Sequence, residues 1–225
     1  MDSPGGRRAV PGTLAGGRQL SAGPLDTRQS KNADSSVDRW REIVRIWGTT
    51  AEERTVVFPC DALLPNYSEA YFRGISVQAE PPVVFRWLCQ LRVAPYSYDW
   101  IDNLGRRSPR QLTPGLERLA VGQPFMGIFD LVALEPDRHL TLRLRKPGLF
   151  PPLVVSYMVS TGPSQGCRLL VKLVLRRRPG LRDPLVASIL PWLDWIMMRR
   201  QLLNLKERSE STRSASSSSR AEGAA

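Results

Sequence analysis

The residues best suited to chemistry lie together in one stretch, Tyr96-Ser97-Tyr98-Asp99-Trp100-Ile101-Asp102-Asn103-Leu104-Gly105. Two carboxyls beside two phenols and an indole are the parts of an acid–base site. Asp99 or Asp102 would exchange a proton, Tyr96 or Tyr98 would polarise a carbonyl, and burial against Trp100 would raise a carboxyl pKa into the useful range. The same residues also make a tied corner: Asp and Asn side chains accept from backbone N–H groups, Gly105 supplies a left-handed position, and the rings brace the loop against a neighbouring helix. Because each residue type already has a backbone-satisfying use here, the corner is the favoured reading and acid–base chemistry the alternative, with the corner bordering the interior.

Other chemistries find fewer parts. His139 is the single histidine and follows a Pro-Asp turn, which predicts an exposed strand start rather than a triad base. Cys60, Cys89 and Cys167 are too few and too scattered for a zinc site, and their odd number argues against a disulfide framework, so reduced thiols, a cytoplasmic location and no metal are expected. Neither a P-loop nor a GxGxxG run occurs, and no cofactor is expected. The N-terminus lacks the apolar run of a signal peptide, and no stretch is apolar enough for a membrane span. The net charge of +11 is dispersed. Its densest cluster, Arg176, Arg177 and Arg178, stands where a strand meets Pro179-Gly180 and reads as a solvated strand end, so no nucleic-acid partner is expected.

The elements that must position these residues follow from hydrophobic spacing. Residues 1–35 and 209–225 are poor in bulky apolar side chains and read as disordered tails, which leaves one domain over 36–208. Val37, Trp40, Ile43, Val44 and Trp47 predict an amphipathic helix ending at Gly48, and Thr49-Thr50-Ala51-Glu52-Glu53-Arg54 a second capped start. Residues 58–67 read as an irregular connection held by Pro59 and Pro65. A strand is expected at 71–79 with Gly74 as a bulge, then a helix of about ten residues after Pro81-Pro82 with Val83, Val84, Trp87, Leu88 and Leu91 on one face. Residues 125–134, 139–145, 153–160 and 168–176 form an antiparallel meander, with Leu140, Leu142 and Leu144 alternating against Thr141, Arg143 and Arg145. A last helix over 184–208, kinked or restarted at Pro191, would be about 37 Å long and too apolar to stand alone in water. It must lie against the sheet, giving an α+β domain.

This order of elements, with Trp87-Leu88-Cys89-Gln90-Leu91, Tyr96-Ser97-Tyr98-Asp99, Asp102-Asn103-Leu104-Gly105, the "LAVGQ" at 119–123 and the "MMRRQLLNLKERSE" at 197–210, resembles the START-like helix-grip superfamily. That group contains polyketide cyclases, lipid-transfer domains and pollen-allergen proteins. More narrowly, the chain is similar to bacterial SRPBCC-type proteins with a YSYDxLDNLG signature. It departs from them in the "RVAP" after Leu91 and in Cys60, where they tend to place glycine. The resemblance implies a curved antiparallel sheet wrapped around a long C-terminal helix, with an apolar cavity between them. A monomer binding a hydrophobic small molecule such as a lipid, polyketide or isoprenoid is then expected, with Trp87, Tyr96, Tyr98, Tyr157, Val171 and Met198 lining the site. Trp192, Trp195, Met197 and Met198 serve equally as core or as a deformable pocket floor. Two alternatives stay open: a cyclase, aromatase or dehydratase using Asp99, Tyr98 and Asp102, and an interaction protein that meets anionic surfaces through its basic tails.

Overall fold

The computed structural model describes residues 42–98, 107–146, 150–162, 166–177 and 184–222, with side chains in the last span described from 191 to 214. All lie within the unit Arg39–Ala225. Seven strands form one sheet: β1 (Ile46–Trp47), β2 (Glu69–Val77), β3 (Pro124–Phe125), β4 (Phe129–Glu135), β5 (His139–Leu144), β6 (Leu153–Thr161) and β7 (Cys167–Leu175). Their spatial order is β1-β2-β7-β6-β5-β4-β3. The meander β4–β7 is antiparallel throughout, and β2 closes antiparallel onto β7. The helices are α1 (Ala51–Thr55), α2 (Pro59–Leu63), α3 (Pro81–Cys89) and α4 (Pro184–Glu222). Helix α4 packs on β2 and α3. This is a helix-grip α+β fold: a curved open sheet holding one long C-terminal helix.

Register sorts the side chains to two faces. Tyr71, Arg73, Val77, Val171, Leu173, Val155, Tyr157, Leu140 and Leu142 face α4 and α3 in the main core. Ala70, Val174, Leu170 and Val154 face outward, where Phe58 and Cys60 cover them. The segment expected to be irregular therefore contains α2, whose function is to bury the sheet's outer face. Lys172 anchors it: its ammonium lies 5.6, 5.3 and 5.2 Å from the ring centres of Phe58, Tyr67 and Phe72 and pairs with Asp61.

Several sequence expectations are corrected. Residues 42–45 are helical, but Ile46 and Trp47 leave the helix and pair in parallel with Phe72 and Arg73. The cause is Arg73, whose guanidinium takes the carbonyls of Val44 and Arg45 at 2.7 and 2.8 Å and so occupies acceptors a longer helix would use. Gly74 is no bulge, since β2 keeps unbroken register with β7 through it. It serves close approach: a Cβ on Gly74 would lie 2.9 Å from the Gly48 carbonyl oxygen, and Gly48 itself, at φ of +70°, has room for no Cβ, which would lie 2.1 Å from the Gly74 carbonyl oxygen. His139 begins β5 but is only 17% exposed and sits 3.5 Å from Glu135. Burial, opposed by the Glu135 charge, keeps its pKa below the usual imidazole value.

Helix α4 runs without restart through Pro191 and continues past Arg208 to Glu222. The serine-rich composition that predicts its end is compatible with helix here because the hydroxyls are satisfied internally. Ser209, Ser211, Thr212 and Ser214 each donate to the carbonyl four residues back, at 2.7–3.1 Å. Ser209 is fully buried, and Lys206, Glu210 and Arg213 bind the backbone of Ser76 and Gln78 at the end of β2. The capping box at Thr50 and Glu53 and the prolines opening α3 are as the sequence predicts.

Candidate functional site

The inner face of α4 is a stripe at helical spacing: Asp194, Met198, Gln201, Leu202, Leu205, Ser209 and Thr212. Opposite it runs a row across four strands, Arg73–Val171–Tyr157–Leu140, each residue the register partner of the next. Where stripe and row meet, the interior is polar. Arg73, 1% exposed, donates to Asp194 at 2.9 Å. Tyr157 donates to Gln201 Oε1 at 2.8 Å and lies 3.9 Å from Met198 Sδ. Gln201 turns its amide to the Pro95 carbonyl at 2.6 Å and to Met126 Sδ at 3.6 Å, and Asn204 donates to the Tyr96 carbonyl at 2.8 Å.

The electrostatics follow from burial. Asp194 is held above the ordinary carboxylate range because burial disfavours its charge, and Arg73 only partly offsets this. Burial likewise pushes the Tyr157 phenol upward, with the Asp194 charge adding to it. Beside them Tyr71 donates to Glu69, which Arg177 also binds. Burial and that bond raise the Tyr71 phenol. For Glu69, burial alone would raise the carboxyl, but the bonds from Tyr71 and Arg177 outweigh it and the net shift is downward. Arg177 binds Glu69 from the outside, being 58% exposed, and both it and Arg176 fit the solvated strand end expected of the cluster; Arg178 lies outside the described residues. Two buried donors, Arg73 Nε and Trp195 Nε1, meet no acceptor among the described residues.

Five of the six candidate lining residues come together. Trp87, Tyr96, Tyr157 and Val171 are buried in one core, and Met198 packs against it. The Trp87 and Tyr96 rings meet edge to face at 5.9 Å, and Trp87 Nε1 donates to Thr212 at 3.0 Å. Tyr98 is half-buried. Asp99 and Asp102 lie outside the described residues. Of the corner only Tyr96, Ser97 and Tyr98 are described: Tyr96 has φ of +55°, and Gln201 and Asn204 hold the carbonyls of Pro95 and Tyr96, while the Asp, Asn and Gly positions expected to tie it lie outside the described residues. Sequence reasoning missed Tyr71, Arg73, Asp194 and Gln201. The available signal was Arg73 inside an alternating strand and Asp194 and Gln201 in phase with Met198 on an apolar helix. Cys60, Cys89 and Cys167 are free and buried, with burial pushing their thiols up to about 11, 12 and 11. Among the described residues no cluster of His, Cys, Asp or Glu could hold a metal ion, and no helix is long and apolar enough to cross a membrane.

No family model and no curated protein matches the chain. Among solved structures it is similar to protein MLL2253 of Mesorhizobium loti, at 18% identity over 64% of this chain and 98% of that one, with a TM-score of 0.40. It is similar to DynU16, described as a putative protein in the dynemicin biosynthetic locus, at 21% identity over 60% and 46% of the two chains, TM-score 0.37. CalU16 of Micromonospora echinospora is 17% identical over 63% and 84%, TM-score 0.33. At these identities the likeness concerns chain trace alone, and the helix-grip assignment rests on the strand order and on α4 packed against the sheet.

Proposed function

We propose that the protein binds a hydrophobic small molecule, of lipid, polyketide or isoprenoid kind, between the sheet's inner face and α4. The observation that carries this reading is the seam itself: an apolar interior in which Arg73, Tyr157, Asp194 and Gln201 converge at one end, with the buried Arg73 Nε lacking an acceptor among the described residues. Ligand sites of this kind pair apolar walls with a few convergent polar groups that fix orientation, and a buried donor without a partner calls for an acceptor such as a ligand carbonyl. Trp87, Tyr96, Tyr98, Val171 and Met198 supply the wall in this reading.

The test is native mass spectrometry of freshly purified protein, followed by solvent extraction and titration with the extracted compound. A co-purifying apolar species whose affinity falls roughly tenfold or more in Gln201→Leu, with thermal stability retained, supports the reading. Protein that carries nothing and binds no member of a lipid and polyketide panel refutes it.

A second reading, a cyclase or dehydratase in the same space, draws on Asp194, a half-buried carboxyl held above its usual range near a phenol. The sequence's own carriers for it are Asp99, Tyr98 and Asp102. Turnover of a polyketide that is lost in Asp194→Asn or Asp99→Asn while ligand affinity persists would favour the enzyme.

A further inference from the structure

The outward side of α4 carries what its inward side does not need. Trp192, Leu193 and Ile196 are 41, 39 and 42% exposed, and Arg199 and Arg200, both exposed, follow them on the same side one to two turns on. Exposed large apolar side chains scattered singly need no explanation, but three on one helical turn do. The neighbouring surface extends the set. Arg73 binds the Val44 carbonyl and Asp194 together, which brings the segment containing Ile43, 39% exposed, alongside this turn of the helix. Arg199 stacks over Trp47 and Trp195 at 5.6 and 5.9 Å, tying the same segment to the helix from the other side.

The charges on the helix side of the patch are one-sided, with Glu42 beside Ile43 the acidic group on its other flank. Between 191 and 205 the sequence has a single acidic residue, Asp194, and Arg73 neutralises it from inside the fold. Arg199 and Arg200 therefore face solvent without acidic competition from their own stretch of helix. Tryptophan and isoleucine flanked by arginines match a bilayer surface, where apolar side chains enter the headgroup boundary and guanidinium groups meet anionic headgroups. We infer that this face of α4, with Ile43 beside it, docks the protein on anionic phospholipid membranes. The contact is peripheral, made by the folded domain rather than by its basic tails.

Co-sedimentation of the full chain with vesicles of phosphatidylcholine, with and without phosphatidylglycerol, tests this. Binding is expected to require phosphatidylglycerol and to weaken as salt rises from about 0.1 M to about 1 M, where the screening length shrinks from about 10 Å to about 3 Å. Arg199→Gln with Arg200→Gln should weaken binding roughly 30-fold. Ile196→Ser with Arg200→Gln, which touches neither the Arg199–Trp47 stack nor the edge-to-face pair of the Trp192 and Trp195 rings at 6.3 Å, should weaken it at least tenfold with unchanged thermal unfolding. Wild-type affinity in both variants would assign binding to the tails and overturn the inference. So would wild-type protein that ignores anionic vesicles, or that binds phosphatidylcholine equally well at high salt. Concentration-dependent dimers abolished by Ile196→Ser, without vesicle binding, would also overturn it in favour of a second copy of this chain.

Discussion

Replacing Arg73 by Met should expose how the last helix is fastened. The side chain is 1% exposed and donates to the carbonyls of Val44, Arg45 and Phe72 and to Asp194, all at 2.7–2.9 Å. Removing one member of a buried ion pair costs about 3–5 kcal/mol, because the other charge stays behind without its partner. Here the stranded charge can be relieved by a proton. In the wild type Asp194 already titrates above its ordinary value of 3.8 through burial, and Arg73 is what restrains the rise. Without Arg73 the carboxyl shifts further up. The variant's deficit should therefore be smallest at acidic pH, where both native states carry the proton. It should widen, by at most about 1.4 kcal/mol per pH unit, as pH rises from the wild-type pKa of Asp194 to that of the variant, then level off. Urea unfolding at several pH values between about 4 and 9 reads this directly. Arg73→Met with Asp194→Leu should abolish the pH dependence and recover the part of the loss that comes from the stranded carboxylate, while the carbonyls of Val44, Arg45 and Phe72 still lack their donor. A deficit that does not change with pH, or a double variant as unstable as the sum of the singles, would refute this account of the seam.

Glu53, bound by Arg168 through two contacts at 2.7 and 2.8 Å, is held below its ordinary pKa of 4.5 chiefly by that bond, so its contribution is present above 4.5 and lost as pH falls further; Glu53→Gln should cost about 1–3 kcal/mol at neutral pH, and acid titration of stability should show the difference vanishing. Thr212→Val leaves the Trp87 indole N–H without its acceptor and should lower stability by about 1–2 kcal/mol in chemical denaturation, whereas a frayed serine-rich end would make the substitution silent. The three thiols, pushed up to about 11–12 by burial, should resist a disulfide exchange reagent at pH 8 until the protein unfolds; a rate that does not track unfolding would contradict their placement.

The fold was legible where one face of an element is buried and the other is not. Leu140, Leu142 and Leu144 alternate with Thr141, Arg143 and Arg145, and β5 follows directly, because a strand in register can put such a set on one face only, although Thr141 on the other face is buried against Ser156. Glu80 before two prolines opens α3 for the same local reasons that predict it. What could not be read is what depends on partners distant in sequence. Arg73 reads as the polar member of an alternating strand until Asp194, 121 residues away, explains its burial. Cys60 sits in a proline-bounded segment with too few apolar residues to announce a helix, and its backbone N–H finds Ser156 on the sheet at 3.0 Å. The serine tract after Arg208 looks like a tail by composition, since nothing local reveals that Trp87 supplies the donor Thr212 accepts. Of the candidate site, the burial of Trp87, Tyr96 and Tyr157 was legible from their place in apolar-patterned segments, whereas the polar end was hidden by its very pairing.

That division within one helix has a physical consequence. Toward its C-terminal end α4 meets the sheet through Leu202, Leu205 and Ser209, all fully buried, with hydroxyls turned to their own backbone. Lys206, Glu210 and Arg213 then lock it to the end of β2. Between 194 and 201 it meets the sheet through Asp194, Met198 and Gln201, whose contacts are an ion pair and hydrogen bonds, three of them on Gln201, around an unbranched thioether. Close-packed leucine contacts resist separation because every gap forfeits dispersion along the whole surface. Polar contacts of the second kind can be exchanged for water or for a ligand's own donors and acceptors at little net cost. Of the described side chains of the helix, those around Leu205 hold it by close packing and those around Asp194 by exchangeable polar contacts, so in the proposed reading a guest would enter beside Asp194. The outward face of that same stretch bears Trp192, Ile196 and the two arginines, so a membrane meeting this surface would lie one helix thickness from the exchangeable end of the seam.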